Sequence, residues 1–296
     1  MSQVTVVVAT RNRRDELLRT LGRHEAPVIV VDNGSTDGTQ HAVGALPNVR
    51  LVGLNDNYGA FARTVGAHRA ATPYVAFADD DSWWAPGALE RAVTIMRDHP
   101  RLAVLAAHVR VMPRDELDPL CRLMADSALG TAPDLPGPSV LGFMACAAVV
   151  HRGAFLAVGG FDDIVRFPGE EERVALDLAS AGLGLAYVDD VVAYHEPSPS
   201  RHSPDARKTA VLRSRLLTAT MRRPWPVVGH EIVGALRSGR PGRAGVRSAA
   251  PQVLAALEHR SVVPSDVEYR LRLLAGVAGG SLVSRWNGPR RSPVPC

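Results

Sequence analysis

Residues 74–87 read YVAFADDDSWWAPG, an apolar run that ends in three consecutive carboxylates and continues with two tryptophans. The apolar part predicts a short buried strand, which ends at the acidic cluster Asp79, Asp80 and Asp81. Adjacent carboxylates repel one another, so such a cluster either lies open to water or is neutralised by a bound cation. In open α/β sheets, ligands bind at the carboxyl ends of strands. The stretch therefore predicts a divalent cation site at a sheet edge, with a solvated turn as the alternative.

Short apolar runs alternate with helical patterns along most of the chain before His195, which is typical of βα units. Besides the strand at 74–78, this pattern predicts strands at 4–9, 28–32, 49–54, 102–109 and 141–150, and one or two more that end at His195. It predicts helices at 13–21, 36–46, 59–71, 86–98 and 170–182. The predicted fold class is therefore α/β, with a mainly parallel sheet flanked by helices.

Charge is divided unevenly along the chain. Residues 1–200 carry 17 Lys and Arg against 25 Asp and Glu, a net charge of −8, whereas residues 201–296 carry 17 against 5, a net charge of +12. The proline- and serine-rich stretch EPSPSRHSP separates the two parts, and the pattern from Asp205 onward is helical. We therefore predict a domain over residues 1–200 and a basic, mainly helical C-terminal extension over residues 201–296.

The basic extension indicates a partner that carries negative charge, such as a lipid-linked diphosphate, a membrane-associated polymer or an anionic membrane. The alternative is a solvated helical cap that covers the sheet. Few aromatic residues lie among the arginines, which argues against nucleic acid.

Other features of the composition favour a cytoplasmic protein. No apolar run is long enough to span a bilayer, and the N-terminal stretch MSQVTVVVAT enters a strand pattern without the regions of a signal peptide. The three cysteines show neither metal-ligand spacing nor the density of a disulfide framework. The predicted location is the cytoplasm, and the inner face of the membrane if the extension binds there.

Polar segments lie at the predicted carboxyl edge of the sheet: ATRNR at 9–13, VDNGSTDGT at 31–39, NYGAFART at 57–64 and the acidic cluster. A strand, a polar glycine-containing turn and a helix N-terminus together form a site for an anion or a nucleotide, because free N–H groups and the helix dipole point at the ligand.

Three further motifs follow these segments in the chain, namely GGFD at 159–162, GEEE at 169–172 and AYH at 193–195. In this order, the set resembles the motifs of family-two glycosyltransferases with a GT-A fold, and the resemblance covers residues 4 to about 196. It implies an inverting transfer of a sugar from a nucleoside-diphosphate donor to a hydroxyl acceptor. It also implies assistance by a divalent metal, Mn²⁺ or Mg²⁺.

The resemblance assigns roles to individual residues of this chain. It implies that Asp32 contacts the nucleotide base and that Arg63 lies near the diphosphate. The implied donor-binding residues are Thr10, Arg11, Asp32, Asn57, Arg63, Asp79 and Asp80. The implied metal ligands are Asp79, Asp81 and His195.

The catalytic base is expected among the glutamates of the GEEE motif. Many members of the family have Glu-Asp where this chain has Glu170 and Glu171, and that register implies Glu171 as the base. Helical spacing places Glu171 on the apolar stripe of the predicted helix and Glu170 on the polar face, towards solvent. Spacing alone does not separate Glu171 from Glu172, so both remain candidates.

Two other classes of function are compatible with parts of this pattern. A nucleotidyltransferase that makes sugar nucleotides would be expected to carry a glycine-rich loop after the first strand, and ATRNRRDEL contains no glycine. A catalytically inactive sugar-nucleotide or glycan-binding module is opposed by the complete acidic clusters. A dehydrogenase is excluded because no G-x-G-x-x-G motif follows a strand.

Overall fold

A computed structural model describes residues 2–198 and 203–278 of the 296-residue chain. The strands of the described part are β1 Val4–Thr10, β2 Val28–Asn33, β3 Val49–Leu54, β4 Tyr74–Asp79, β5 Ser82–Trp84, β6 Leu102–Val111, β7 Glu116–Leu117, β8 Ala148–His151 and β9 Gly184–His195. Its α-helices are α1 Arg14–Leu21, α2 Thr39–Gly44, α3 Phe61–Arg69, α4 Ala88–Asp98, α5 Pro119–Ala125, α6 Arg152–Ala157, α7 Glu171–Ser180, α8 Pro204–Arg222, α9 Trp225–Arg237, α10 Arg240–Ala249, α11 Val253–Glu258 and α12 Ser265–Ala278.

The strands form one mixed sheet in the order β3-β2-β1-β4-β8-β6-β9-β5, and β7 pairs with β6. The pairs β3–β2, β2–β1, β1–β4 and β6–β9 are parallel. Strand β8 is antiparallel to both of its neighbours, and β5 is antiparallel to β9. The predicted α/β class with a mainly parallel sheet is therefore confirmed.

Close packing of helix α3 on the sheet depends on one glycine. Strands β1 and β2 are buried along nearly their whole length, as their valine-rich sequences predict. A Cβ atom at Gly66 of α3 would lie 2.3 Å from Cγ1 of Val7 and 3.1 Å from Cγ2 of Val31. Helix α3 can therefore approach the sheet this closely only because residue 66 has no side chain.

Two predicted elements differ from the structure. The apolar run 141–150 forms a strand only at Ala148–His151, after a 3₁₀ turn over Ala145–Ala147. A continuous apolar run does not by itself distinguish a strand from other buried backbone. Helix α2 begins at Thr39 rather than at residue 36, because the Asp37 carboxylate accepts hydrogen bonds from the Thr39 backbone and hydroxyl.

Helices follow Asp205 to the end of the described residues, as the sequence predicts. Helix α8 contributes Leu217 and Met221 to a second apolar cluster, which includes Val165 from the loop before α7. Helix α12 contributes Val267 to the main core itself. The predicted boundary at residue 200 falls within residues 199–202, which lie outside the described residues, as do residues 279–296 of the extension. Within the described ranges, no helix combines the length and apolar character needed to cross a membrane.

Candidate active site

The acidic cluster lies where β4 ends and the chain turns into β5. The Asp79 backbone N–H donates to Oγ of Ser82 at 2.8 Å, and that hydroxyl donates to the carbonyl of Cys146 at 3.2 Å. Asp80 and Asp81 are only 6% and 8% exposed. The solvated turn is therefore wrong as an account of the cluster, and its charges must be compensated by other groups.

Arg13 and His195 are the basic side chains that lie beside Asp80 and Asp81. Arg13 Nε lies 3.0 Å from Asp80 Oδ1, and Arg13 Nη2 lies 2.9 Å from Asp81 Oδ2. His195 Nε2 lies 3.3 Å from the other Asp81 oxygen. The Thr10 hydroxyl donates to Asp80 Oδ2 at 3.0 Å. Arg13 was not among the predicted site residues, although it lies in the ATRNR segment that pointed to this edge.

The aspartates of this cluster differ in proton affinity. Burial, together with the charges of Asp79 and Asp81, raises the pKa of Asp80 to about 7 and outweighs the opposite effects of Arg13 and Thr10. Burial would also raise the pKa of Asp81, but the hydrogen bond and charge of His195, with help from Arg13, bring that pKa below its usual value. Asp81 is therefore the better carboxylate for a positively charged ligand.

The predicted metal ligands are only partly brought together. Asp81 and His195 are in contact, whereas Asp79 forms an ion pair with Arg63. Within residues 2–198 and 203–278, no group of three or more His, Cys, Asp and Glu side chains is arranged to hold a metal ion. The set Asp79, Asp81 and His195 stays a prediction.

Arg63 connects the acidic cluster to helix α7. It is 6% exposed, pairs with Asp79, and places Nη1 3.6 Å from Oε1 of Glu170. Burial alone would lower the pKa of Arg63, but the charges of Asp79 and Glu170 raise it, so the guanidinium is always protonated. Arg63 thus places a fixed positive charge between two groups of carboxylates.

The three glutamates of the GEEE motif point in different directions. Glu170 is 1% exposed, so the expectation that it faces solvent is wrong. The polar face that it shares with Arg173 is itself buried, because Arg173 is 3% exposed and pairs with Asp162 and Asp177, and Glu170 lies against Arg63. Glu171 is 6% exposed and accepts a hydrogen bond from the Ala145 backbone at 3.4 Å.

Glu172 belongs to a different environment. It interacts electrostatically with Arg215, Arg223 and Glu231. Arg215 lies in α8, Arg223 directly follows α8, and Glu231 lies in α9. Glu171, in contrast, interacts electrostatically with Arg63 and Asp79. Of the two predicted candidates, Glu171 is therefore the one directed towards the acidic cluster.

Both inward-facing glutamates hold their protons more strongly than usual. Burial raises the pKa of Glu170, and the neighbouring Glu171 charge adds to that rise while Arg63 opposes it. Burial also raises the pKa of Glu171, against the hydrogen bond from Ala145 and the charge of Arg63. A carboxylate with a raised pKa can take up a proton near neutral pH.

Asp32 is fully buried at the end of β2 and retains a free oxygen. Its Oδ2 accepts from the Ser35 backbone at 3.0 Å and from Nε2 of Gln40 at 2.7 Å. Its Oδ1 is buried and has no hydrogen-bond partner. A buried acceptor without a partner is rare in proteins, so Oδ1 is suited to a donor supplied by a ligand.

Other predicted residues lie around this edge. Arg11 is exposed beside Thr10. Asn57 is exposed in the loop before α3, where its Oδ1 accepts from the Gly59 backbone at 2.9 Å. Trp83, which follows the acidic cluster, is 8% exposed and contacts both the ring of Tyr194 and the guanidinium of Arg23. The donor-binding roles of Arg11 and Asn57 stay predictions.

Comparison with known proteins assigns the chain to a family. A family model described as glycosyl transferase family 2 matches residues 5–158, which includes the acidic cluster and Arg63. The chain belongs to glycosyl transferase family 2. This family 2 chain is a glycosyltransferase, as the ordered motifs predict.

The family 2 chain is similar to a curated enzyme named N-acetylglucosaminyl-diphospho-decaprenol L-rhamnosyltransferase from Mycobacterium tuberculosis. The two are 30% identical over 207 residues, which covers 58% of this chain and 67% of the relative.

Solved glycosyltransferases share the GT-A type fold of this family 2 chain. A mannosyltransferase, PcManGT from Pyrobaculum calidifontis, solved with GDP-Man and Mn²⁺, aligns with a TM-score of 0.59 at 22% identity, over 96% of this chain and 83% of its own. TarS of S. aureus, solved with UDP-GlcNAc, aligns with a TM-score of 0.54 at 16% identity, over 97% of this chain and 90% of its own. The predicted GT-A fold is therefore confirmed.

Proposed function

We propose that this glycosyltransferase moves a sugar from a nucleoside-diphosphate donor to a hydroxyl acceptor with inversion at the sugar carbon. The observation that carries the proposal is a buried carboxylate, Glu171, at the start of α7 and close to the acidic cluster that ends β4. Arg63 lies between the two groups and contacts Asp79. This arrangement supplies a proton acceptor beside a site for a charged leaving group.

The donor nucleoside is proposed to lie at the ends of β1 and β2. The unpaired Oδ1 of Asp32 would accept a hydrogen bond from a ring N–H of the base. Thr10, Arg11 and Asn57 belong to the surrounding segments and are proposed to complete the donor site. Nucleotide sugars bound to two of the structural neighbours support this choice of donor class.

A divalent ion is proposed to accompany the donor. Asp81 and His195 fit such an ion, because one carboxylate and one imidazole already meet there, and this donor set suits Mn²⁺ better than Mg²⁺. Asp79 would join them only if Arg63 released it, and Asp80 would contact the donor ribose. When bound, the ion would neutralise the negative charge of the leaving diphosphate.

The chain's own residues would carry the proton transfer. Glu171 would accept the proton of the acceptor hydroxyl while that oxygen attacks the sugar carbon from the face opposite the diphosphate. Arg63 would supply positive charge beside the diphosphate in the transition state. No covalent bond between sugar and enzyme forms in this single displacement.

The acceptor is proposed to be a lipid-linked diphosphate sugar. The name of the Mycobacterium tuberculosis relative supports this class, and the basic C-terminal extension is consistent with an anionic acceptor or a polymer. A cytoplasmic enzyme peripheral to the inner face of the membrane belongs to the same proposal. The alternative, a nucleotidyltransferase, would require a glycine-rich loop after β1, and the segment that follows β1 in this chain contains no glycine.

Binding of nucleoside diphosphates provides the first test. Calorimetry should give tight binding of UDP, GDP or TDP with Mn²⁺, and at least ten-fold weaker binding with a chelator, because the two anionic groups repel without the cation. Asp81→Ala should remove this metal dependence. Asp190→Ala is the matched control, because Asp190 is an exposed aspartate that pairs with Arg91 and not with a residue of the acidic cluster. Equal affinities with metal and with chelator would contradict the metal-assisted proposal.

A further inference from the structure

Exposed apolar side chains are concentrated in the C-terminal helices. Among the described residues, three of the twelve exposed large apolar side chains precede residue 200 and nine follow it. Those nine are Trp225, Ile232, Val233, Leu236, Leu254, Leu257, Val262, Tyr269 and Leu273. Apolar residues scattered singly are normal on a surface, whereas a concentration of them marks an interaction site.

Helix α9 carries the most regular part of this surface. Trp225, Ile232, Val233 and Leu236 are spaced at i, i+7, i+8 and i+11, so they share one helical face, and they are between 38% and 57% exposed. The other face holds α9 against its neighbours through the buried Val228 and Ala235 and through an ion pair between Glu231 and Arg215. The apolar face is therefore presented to the outside.

Helix α10 carries three exposed arginines on one face. Arg240, Arg243 and Arg247 follow one another at i, i+3 and i+7 and are all exposed. The opposite face carries Gly242, where a Cβ atom would lie 1.8 Å from the carbonyl oxygen of Ala235 in α9. Helix α10 thus packs closely on α9 and directs its arginines away from the contact.

These arginines have no ion-pair partner in the part of the chain that the structure describes. Arg215 and Arg223 of the same region pair with Glu231 and Glu268, but Arg240, Arg243 and Arg247 make neither an ion pair nor a side-chain hydrogen bond within the described residues. Together with Asp205, Ala206 and Thr209 of α8, the three line an open cavity of about 400 Å³, which therefore carries three positive charges against one negative charge. That volume accommodates a phosphate group.

We propose that α9 and α10 form a docking surface for an anionic lipid bilayer. The apolar face of α9 would enter the boundary between headgroups and acyl chains, and the arginines of α10 would bind headgroup phosphates. Apolar side chains beside arginines that have no ion-pair partner favour a bilayer over single-stranded nucleic acid, whose bases would stack on exposed aromatic rings. The one aromatic ring of the apolar face, Trp225, has the guanidinium of Arg260 over one side of its ring, 3.9 Å from the ring centroid. This inference rests on the proposed function only for the reason why the enzyme would bind a membrane, which is to reach a lipid-linked acceptor. The surface itself does not depend on the identity of the acceptor.

Sedimentation with vesicles tests this docking surface without donor or acceptor. The unmodified chain should sediment with phosphatidylglycerol vesicles at low ionic strength and remain in the supernatant with phosphatidylcholine vesicles. Raising the salt to about 1 M should weaken binding, because the screening length falls to about 3 Å. Replacing Arg240, Arg243 and Arg247 together by Gln should lower the partition coefficient by about 100-fold, roughly five-fold for each arginine.

Matched variants separate this surface from general charge and hydrophobicity. Arg19, Arg97 and Arg114 changed together to Gln remove the same charge from exposed positions outside the C-terminal helices. That variant should retain most of the binding to anionic vesicles.

The apolar face has its own pair of variants. Leu236→Gln, at a residue 43% exposed on α9, should weaken vesicle binding by about ten-fold. Leu18→Gln, at a residue 40% exposed on α1, should leave vesicle binding unchanged.

The outcomes distinguish this inference from the proposed function. Absence of vesicle binding at low salt, or equal binding of the triple variant of α10, would overturn the docking surface while sugar transfer to a water-soluble acceptor could still proceed. A chain that ignores vesicles but forms a dimer dissociated by Leu236→Gln would assign the surface to a second copy instead. Normal vesicle binding without any sugar transfer would contradict the proposed function alone.

Discussion

Glu171 and Glu172 are adjacent in the chain but lie in different surroundings. The carboxylate of Glu171 is held by the Ala145 backbone near Arg63, whereas Glu172 is directed towards the charged residues of α8 and α9. Of the two predicted bases, Glu171 is therefore the one that faces Arg63 and Asp79. The orientation of α7 thus separates two glutamates that the sequence pattern could not distinguish.

Glu171→Gln tests this assignment by replacing one carboxylate oxygen with an amide nitrogen. The amide keeps the size of the side chain but cannot accept a proton, so we expect turnover to fall by about 100-fold or more while donor affinity changes little. Glu172→Gln is the matched control and should transfer sugar at nearly the unmodified rate. The measurement is kcat for sugar transfer together with the Kd of the nucleoside diphosphate.

The pH dependence of turnover should report the same group. Glu171 must be unprotonated to act as a base, and burial raises its pKa above the ordinary value of 4.5. The rising limb of kcat/KM should therefore lie at higher pH than for an ordinary glutamate, and Glu171→Gln should abolish that limb. Activity of both glutamine variants at the unmodified rate would place the base elsewhere.

At the scale of elements, the site depends on how closely α3 lies on β1 and β2. Gly66→Ala would place a methyl group 2.3 Å from Val7, and the packed valines of the sheet cannot move away without strain. We expect the free energy of unfolding to fall by about 1–3 kcal/mol, as for other overpacked cores. Arg63 lies one helical turn before Gly66, so donor affinity should fall as well.

Gly234→Ala in α9 is the control for this substitution. Its added methyl group meets nothing within 4 Å, and alanine favours a helix over glycine by about 0.8–1.0 kcal/mol. Denaturant unfolding should show Gly234→Ala to be neutral or stabilising. A similar result for Gly66→Ala would show that α3 has room to move away from the sheet.

At the scale of the whole molecule, the C-terminal helices are part of the packing of the sheet domain. Val263, Val267 and Leu274 belong to the main apolar core. Arg222 at the end of α8 contacts both oxygens of Asp177 in α7, the helix that carries Glu171. The basic extension therefore helps to hold α7, the helix of the proposed base, in place. This structural role is separate from any binding of a partner.

Val267→Ala tests this coupling. Val267 is fully buried, so its truncation should lower the free energy of unfolding by about 1–3 kcal/mol. Leu273→Ala, at a residue 37% exposed on the same helix, should change stability by less than about 0.5 kcal/mol. A single cooperative transition in both variants is expected. Separate melting of two parts would contradict a shared core.

The sequence by itself determined the class of fold and the edge of the sheet at which the site lies. Buried valine runs fix β1 and β2, and the polar segments after them lie at the carboxyl ends of parallel strands, so Asp32 and Asp79 to Asp81 could be located from local pattern alone. The order of the motifs was specific enough to indicate the family. These features are local, because strand periodicity and turn chemistry depend on residues close together in the chain.

Only the tertiary structure decided which charged groups meet. Arg13 contacts Asp80 from 67 positions away, and Arg63 reaches Glu170 across 107 positions, so no local periodicity could indicate either pair. Glu170 lies on the polar face of α7 and is nevertheless buried, with Arg63 of α3 beside it, so the amphipathic pattern of its own helix did not indicate its surroundings. The free oxygen of Asp32 likewise depends on which neighbours its side chain meets after folding. Long-range packing sets the direction and charge of each site residue, whereas the sequence sets which residues arrive at the sheet edge.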